Sequence, residues 1–153
     1  MEKVTFFLLW FFGVVLDQTT KWWAEGVLKD RVIALVPGVL RFHLRQNFAS
    51  AFGLYFLTRP QHAVVTLGVT VFLLFLLFSK RVSRPPLFLL GGSLYLAGAW
   101  GNLVDRLWRG YVVDFIEPSF WATFNVADVL IVTGAASMVW GFLRHEERKN
   151  SRL

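Results

Sequence analysis

Residues 98–128 read GAWGNLVDRLWRGYVVDFIEPSFWATFNVAD, which sets Asp105, Asp114 and Asp128, with Asn102, Arg106 and Asn125, at the junction of two strongly apolar segments. Ionisable groups in or beside lipid cost free energy and mark functional sites there. The flanking segments, residues 87–107 and 124–143, are each about the length that crosses a bilayer. Reading them as membrane spans decides the fold, because it gathers three acids at one membrane edge. Gly91, Gly92, Gly98 and Gly101 thin one side of the first span and allow close helix packing. Asn102 with Asp105 and Arg106, at i+3 and i+4, forms a polar patch on one face near its end, and Asn125 and Asp128 open the next span three residues apart. Between them, residues 108–123 read as a loop or surface segment anchored at the interface by Trp108 and Trp121.

Composition supports a membrane reading. The hydrophobic share is 56%, with 16 Phe and 7 Trp, above the roughly 45 to 50% of soluble domains. The net charge of +6 comes from short basic runs beside apolar segments and not from a continuous stripe, so anionic lipid is expected as the neighbour and nucleic acid is not. With no Cys there is no thiol nucleophile or thiolate metal site, and His43, His62 and His145 are scattered without ligand spacing. Neither a metal nor a cofactor is expected.

Toward the N-terminus, residues 4–16 are free of charge and run into Asp17-Gln18-Thr19-Thr20-Lys21-Trp22-Trp23. That end, with an acid, a lysine and two tryptophans, does not suit a signal-peptide cleavage site, so residues 4–23 are expected to be a permanent span. Asp17 and Lys21 are four apart and share a helix face, where they can neutralise each other. Residues 25–60 form the most polar section: Leu40, Phe42 and Leu44 alternate with Arg41, His43 and Arg45, a period-two pattern that predicts a strand with a greasy face and a basic face. Residues 61–78 are an uncharged span, and the loop to the next carries Lys80, Arg81 and Arg84 with two prolines. The charged tail from 144 is expected to fray.

The expected fold is an all-α polytopic membrane protein of one domain, residues 1–153. Its four transmembrane helices cover residues 4–23, 61–78, 87–107 and 124–143, with a small extracytoplasmic β-sheet in the first outer loop. Basic residues are denser in the two terminal segments and the 79–85 loop than in the other loops, which places both termini inside. Asp17, Asp105, Asp114 and Asp128 then all point toward the outer face.

Without a metal, a thiol or a Ser-His pair, the main route to amide hydrolysis is two carboxylates sharing one proton. One takes a proton from the attacking water while the other, protonated, hydrogen-bonds the carbonyl oxygen. Asn102, Asn125 and Arg106 would orient the acids or the substrate. Spacing alone does not choose Asp114 over Asp105.

Five blocks together give the chain a family resemblance. They are Asp17-Gln18-Thr19-Thr20-Lys21, the loop from Asn47 to Phe52, Gly98-Ala99-Trp100-Gly101-Asn102-Leu103-Val104-Asp105-Arg106, Val112-Val113-Asp114-Phe115, and Phe124-Asn125-Val126-Ala127-Asp128. In this order they resemble the lipoprotein signal peptidase (signal peptidase II) family of bacterial membrane aspartyl proteases. The resemblance implies a catalytic dyad of Asp114 and Asp128, with Asn102, Asp105, Arg106 and Asn125 around it and Asp17, Lys21 and Asn47 in support. It further implies cleavage of diacylglyceryl-modified prolipoproteins just before the lipidated cysteine, by a monomer in the bacterial inner membrane with its active site at the outer face. The loop departs from the family's usual Asn-x-Gly-Ala-Ala-Phe, with Ala49 and Ser50 in place of Gly and the first Ala, which bears on the shape of a segment expected to cover substrate.

Other readings of the same residues stand beside this one. Asp17 with Lys21 can be a buried structural pair, Asp105 beside Arg106 an orienting group, and Asp128 a helix N-terminal charge favoured by the dipole. Arg41, His43 and Arg45 read as a solvated or headgroup-facing edge, and the tryptophans mostly as interface anchors. A proton-coupled transporter would also carry intramembrane Asp and Lys. A lipid-binding scaffold would tolerate Asp→Asn changes at 114 and 128.

Overall fold

A computed structural model describes residues 2–48, 58–79 and 85–150. In chain order these form α1 (Glu2–Val27), β1 (Ile33–Val36), β2 (Leu40–Asn47), α2 (Arg59–Phe78), α3 (Pro86–Trp108), β3 (Val112–Pro118) and α4 (Val126–Asn150). Prolines in the first turns of α2 and α3 start both helices, where a missing N–H costs nothing. At the start of α2, Gln61 Oε1 also accepts the Thr58 backbone N–H at 2.7 Å.

α3 is the central helix, packed against α1, α2 and α4. Its small residues set the approach: a Cβ on Gly91 would lie 2.5 Å from the Gly134 carbonyl oxygen, and one on Gly98 would collide with the Ala127 carbonyl. Phe6, Leu73, Leu77, Leu89 and Leu96 make the interhelical core. Trp10 and Trp100 pack edge to face within it at 5.7 Å, and Trp100 Nε1 donates to Thr70 Oγ1 at 2.9 Å. These two tryptophans therefore serve the core and not the interface. Among the described residues, three helical stretches, Pro60–Phe78, Pro86–Trp108 and Val126–His145, are long and apolar enough to cross a membrane. The helix of α4 continues through the charged residues 144–150, which the sequence reading expected to fray.

The sheet is three-stranded and antiparallel, in the order β1-β2-β3. β1 and β2 come from the first loop as expected, joined by a turn in which Gly38 takes φ 73°. β3 corrects the reading of residues 108–123 as a loop or surface segment. Val112, Val113, Asp114 and Phe115 are all buried, so the segment shows no alternation from which a strand could be read. Val113 and Phe115 pack on Ala24 and Leu28 at the end of α1, joined by Phe42 and Leu44, so the greasy face of β2 is turned inward. An isolated bridge from Ile116 to Phe124 folds the chain back after β3 and delivers it to the start of α4.

One irregularity in the sheet bears on the site. Leu40, Arg41 and Phe42 face Pro118, Glu117 and Ile116, but Arg45, Gln46 and Asn47 face Asp114, Val113 and Val112. β2 thus carries one extra residue between Phe42 and Arg45. Side chains alternate along a strand, so this bulge moves Asn47 onto the face that bears Asp114.

Candidate active site

α1, α3, β2, β3 and the start of α4 bring their polar residues together at one end of the helix bundle. Lys21 lies at the bottom, fully buried with Asp17 and Asp105. Its Nζ lies 2.8 Å from Asp17 Oδ2 and 3.0 Å from Asp105 Oδ2, and it donates to Asn102 Oδ1 at 2.9 Å. All three ammonium donors are matched, as a buried lysine requires. The i,i+4 pair expected in the first helix is present, and it is also tied to α3.

Each partner of Lys21 holds something further. Asp17 Oδ1 accepts the Ala127 N–H at 2.8 Å, clamping the first turn of α4 to α1. Asp105 Oδ2 accepts the Val113 N–H at 3.0 Å and so fixes β3. Its Oδ1 takes Arg109 Nη1 at 2.6 Å and Gln18 Nε2 at 3.0 Å. Asp105 is therefore surrounded by structural partners. Gly101 makes room for Asp17, since a Cβ there would strike its carboxylate.

Asn102 links this layer to the other two acids. Its Nδ2 donates to Asp128 Oδ1 at 2.9 Å, while its Oδ1 accepts both Lys21 and Asn125 Nδ2, the latter at 3.2 Å. Asn125 Nδ2 also donates to Asp114 Oδ1 at 2.7 Å, and its backbone N–H donates to Asp128 Oδ2 at 3.2 Å. Asp128 N–H returns a bond to Asn125 Oδ1 at 3.0 Å, so the two residues form a reciprocal N-terminal cap on α4. Asn47 Nδ2 completes the set, donating to Asp114 Oδ2 at 2.8 Å. Asp114 is buried and Asp128 partly exposed. Arg106 donates to the Asn102 carbonyl within its own helix at 3.1 Å and is electrostatically coupled to Asp128, Asp114 and Asp105.

Burial pushes Asp114 up to about 6, and the neighbouring Asp128 charge adds to the rise; hydrogen bonds from Asn47 and Asn125 oppose it. The arrangement can therefore hold a carboxyl that titrates near neutrality beside a second, wetter carboxylate. Among the described residues no group of three or more His, Cys, Asp or Glu side chains is placed to hold a metal ion. Every buried side-chain nitrogen and oxygen among them has a partner.

All nine residues singled out in the sequence are in this region. The structure adds three that were not. Gln18 bridges Asp17, Asp105 and the Gly101 carbonyl. Arg109 joins Asp105 to Glu25 at 3.0 Å, and its i,i+4 spacing from Asp105 was the available signal. Glu117 collects Arg41, His43 and Arg45 at 2.6, 2.8 and 3.2 Å, so the edge read as solvated or headgroup-facing keeps both arginines exposed and is also an ion-pair cluster. The Arg41 hydrogen bond, helped by His43 and Arg45, holds Glu117 down to about 2. The Ala49 to Phe52 part of the loop lies outside the described residues.

Known proteins resemble this chain in sequence and in fold. A family model described as signal peptidase (SPase) II matches residues 9–144. The lipoprotein signal peptidase of Chlorobaculum parvum is 34% identical, covering 97% of this chain and 99% of its own. That of Teredinibacter turnerae is 37% identical, covering 85% and 82%. Two solved structures of bacterial membrane enzymes, obtained by the in meso method, are also similar. One has a TM-score of 0.84 at 25% identity, over 95% of this chain and 91% of the other; the second scores 0.79 at 26%, over 91% and 92%. The chain belongs to the signal peptidase II family of aspartic-type endopeptidases.

Proposed function

We propose that this chain removes the signal peptide from diacylglyceryl-modified prolipoproteins, cutting just before the lipidated cysteine with Asp114 and Asp128 as its dyad. One observation carries the choice of these two acids: Asn125 holds both, Asp114 through its side-chain amide and Asp128 through its backbone N–H. Asp105, the rival from spacing, is fully buried against Lys21, Arg109 and Gln18.

Asp114 carries the shared proton, in keeping with its burial, and Asp128, the more exposed of the two, acts as the base. Asp128 takes a proton from water as the water oxygen bonds to the scissile carbonyl carbon. Asp114 donates its proton to the carbonyl oxygen and steadies the tetrahedral intermediate. When the C–N bond breaks, the cysteine amine leaves with the proton now on Asp128, and Asp114 recovers its own. Asn102, Asn125 and Asn47 hold the carboxylates in place, Arg106 adds positive charge beside them, and Asp17 and Lys21 support the start of α4.

α1 serves as a fourth span. Its 26 residues make about 39 Å of helix, Phe7, Leu8, Phe11, Phe12 and Val15 face outward, and the charges of Asp17 and Lys21 are matched internally. One membrane domain then has both termini in the cytoplasm and the dyad at the outer face of the inner membrane. It acts as a monomer among membrane lipids.

The test uses purified protein in detergent with a precursor peptide that does or does not carry diacylglyceryl on its cysteine, read by mass spectrometry of the products. Cleavage of the lipidated peptide alone, with cysteine as the new N-terminus, is expected. A folded preparation that cuts neither peptide overturns the proposal.

A further inference from the structure

The sheet carries a charged surface that the peptide chemistry does not use. Between the end of α1 and β2 lies a cleft of about 310 Å³ whose lining includes Lys29, Asp30, Arg31 and His43. Lys29 and Arg31 are exposed there. His43 connects the cleft to the Glu117 cluster, where Arg41 and Arg45 are each half exposed. Four permanent cations, Lys29, Arg31, Arg41 and Arg45, thus stand against two carboxylates, Asp30 and Glu117. Exposed apolar residues border this charge. Val36 and Val39 end the β1 side of the sheet, the Ser119 N–H donates to the Val39 carbonyl at 2.9 Å, and Phe120 and Trp121 follow with their side chains in the open.

A cationic face beside exposed aromatic and aliphatic side chains, at the end of a membrane-spanning bundle, matches an anionic membrane surface in charge and in amphipathic character. We propose that this face binds the phosphodiester headgroup of an anionic phospholipid, with Lys29 and Arg31 as its principal contacts and Val36, Val39, Phe120 and Trp121 entering the acyl region. The proposal requires only that the helices cross the bilayer, and stands apart from the peptidase chemistry. Its consequence for the site is positional: Glu117 and Asp114 share β3, so a sheet held at the headgroups also fixes the depth of Asp114.

The test is competition between phosphatidylglycerol and phosphatidylcholine for the full-length protein, followed by native mass spectrometry. Wild type is expected to prefer phosphatidylglycerol. The Lys29→Gln/Arg31→Gln double variant should lose about fivefold of that preference for each cation removed. The charge-keeping Lys29→Arg/Arg31→Lys variant retains it, which separates loss of charge from loss of fold. Arg144→Gln, on α4 at the other end of the bundle, leaves it unchanged. Equal binding of the two lipids by wild type, an unchanged preference in the double variant, or its loss on Arg144→Gln overturns the proposal. So does displacement of the lipid by millimolar inorganic phosphate, which would make this a site for free anions.

Discussion

Asn47 reaches Asp114 across the sheet, its Nδ2 donating to Oδ2 at 2.8 Å, only because β2 holds one residue more than β3 requires. Without that bulge Gln46 would stand opposite Val112, and Asn47 would fall on the other face. A local defect in strand pairing thus places the amide that opposes the rise in the Asp114 pKa.

The sign of that effect can be tested. The Asn47 bond favours ionised Asp114, so its loss raises the carboxyl further above about 6. Activity that needs one proton on the dyad falls as pH rises through the upper apparent pKa of the pair. In Asn47→Ala the alkaline limb of the pH–rate profile should move to higher pH by about one unit, the scale of a hydrogen bond to a charged group. A limb that stays put or moves down contradicts this role.

Lys21 neutralises two buried carboxylates. Lys21→Met leaves buried Asp17 without a cation and Asp105 with Arg109 alone, and should cost about 3–5 kcal/mol, read as a lower unfolding temperature in detergent. An unchanged midpoint would mean that the cluster does not hold the helices together.

Gly101 sets how closely α1 approaches α3. A methyl group there meets the Asp17 carboxylate, and Asp17 in turn holds Ala127 N–H beside Asp128. Gly101→Ala should destabilise by about 1–3 kcal/mol and lower activity as well. Gly68→Ala, with nothing within 4 Å of the added carbon, should leave both unchanged or raise stability slightly. Equal behaviour of the two variants would refute the close-approach argument.

Glu117 ties stability to pH on the acid side. Its carboxyl is held down to about 2 from an ordinary 4.5, so its contribution is complete above 4.5 and lost as pH falls toward 2. The gap in unfolding temperature between wild type and Glu117→Gln should therefore be present at pH 7 and shrink below pH 4.5. A gap that is constant with pH would show that the charge of Glu117 is not what holds β2 to β3.

What could be read in the sequence was local. The i,i+4 spacing of Asp17 and Lys21 and the i,i+3 spacing of Asn125 and Asp128 each encode a contact between near neighbours, and both contacts are present; the alternation of Leu40 to Arg45 encodes a strand, and β2 is there. β3 left no such trace because it is buried on both faces. The bond from Asp17 to Ala127 spans 110 residues and follows from helix packing, which no spacing reports. Spacing leaves Asp105 and Asp114 level, because the contacts that set them apart, Lys21 and Arg109 on Asp105 and Asn125 on Asp114, join separate elements.

On the proposed mechanism, Asp114 and Asp128 act together on the peptide bond. The most direct measurement compares wild type, Asp114→Asn and Asp128→Asn on the diacylglyceryl peptide, with each protein's fold verified by thermal unfolding. Both variants are expected to remain folded and each to lose cleavage by at least about 100-fold, as removal of a general acid or base does. A folded variant of either kind that cleaves at the wild-type rate would contradict that mechanism.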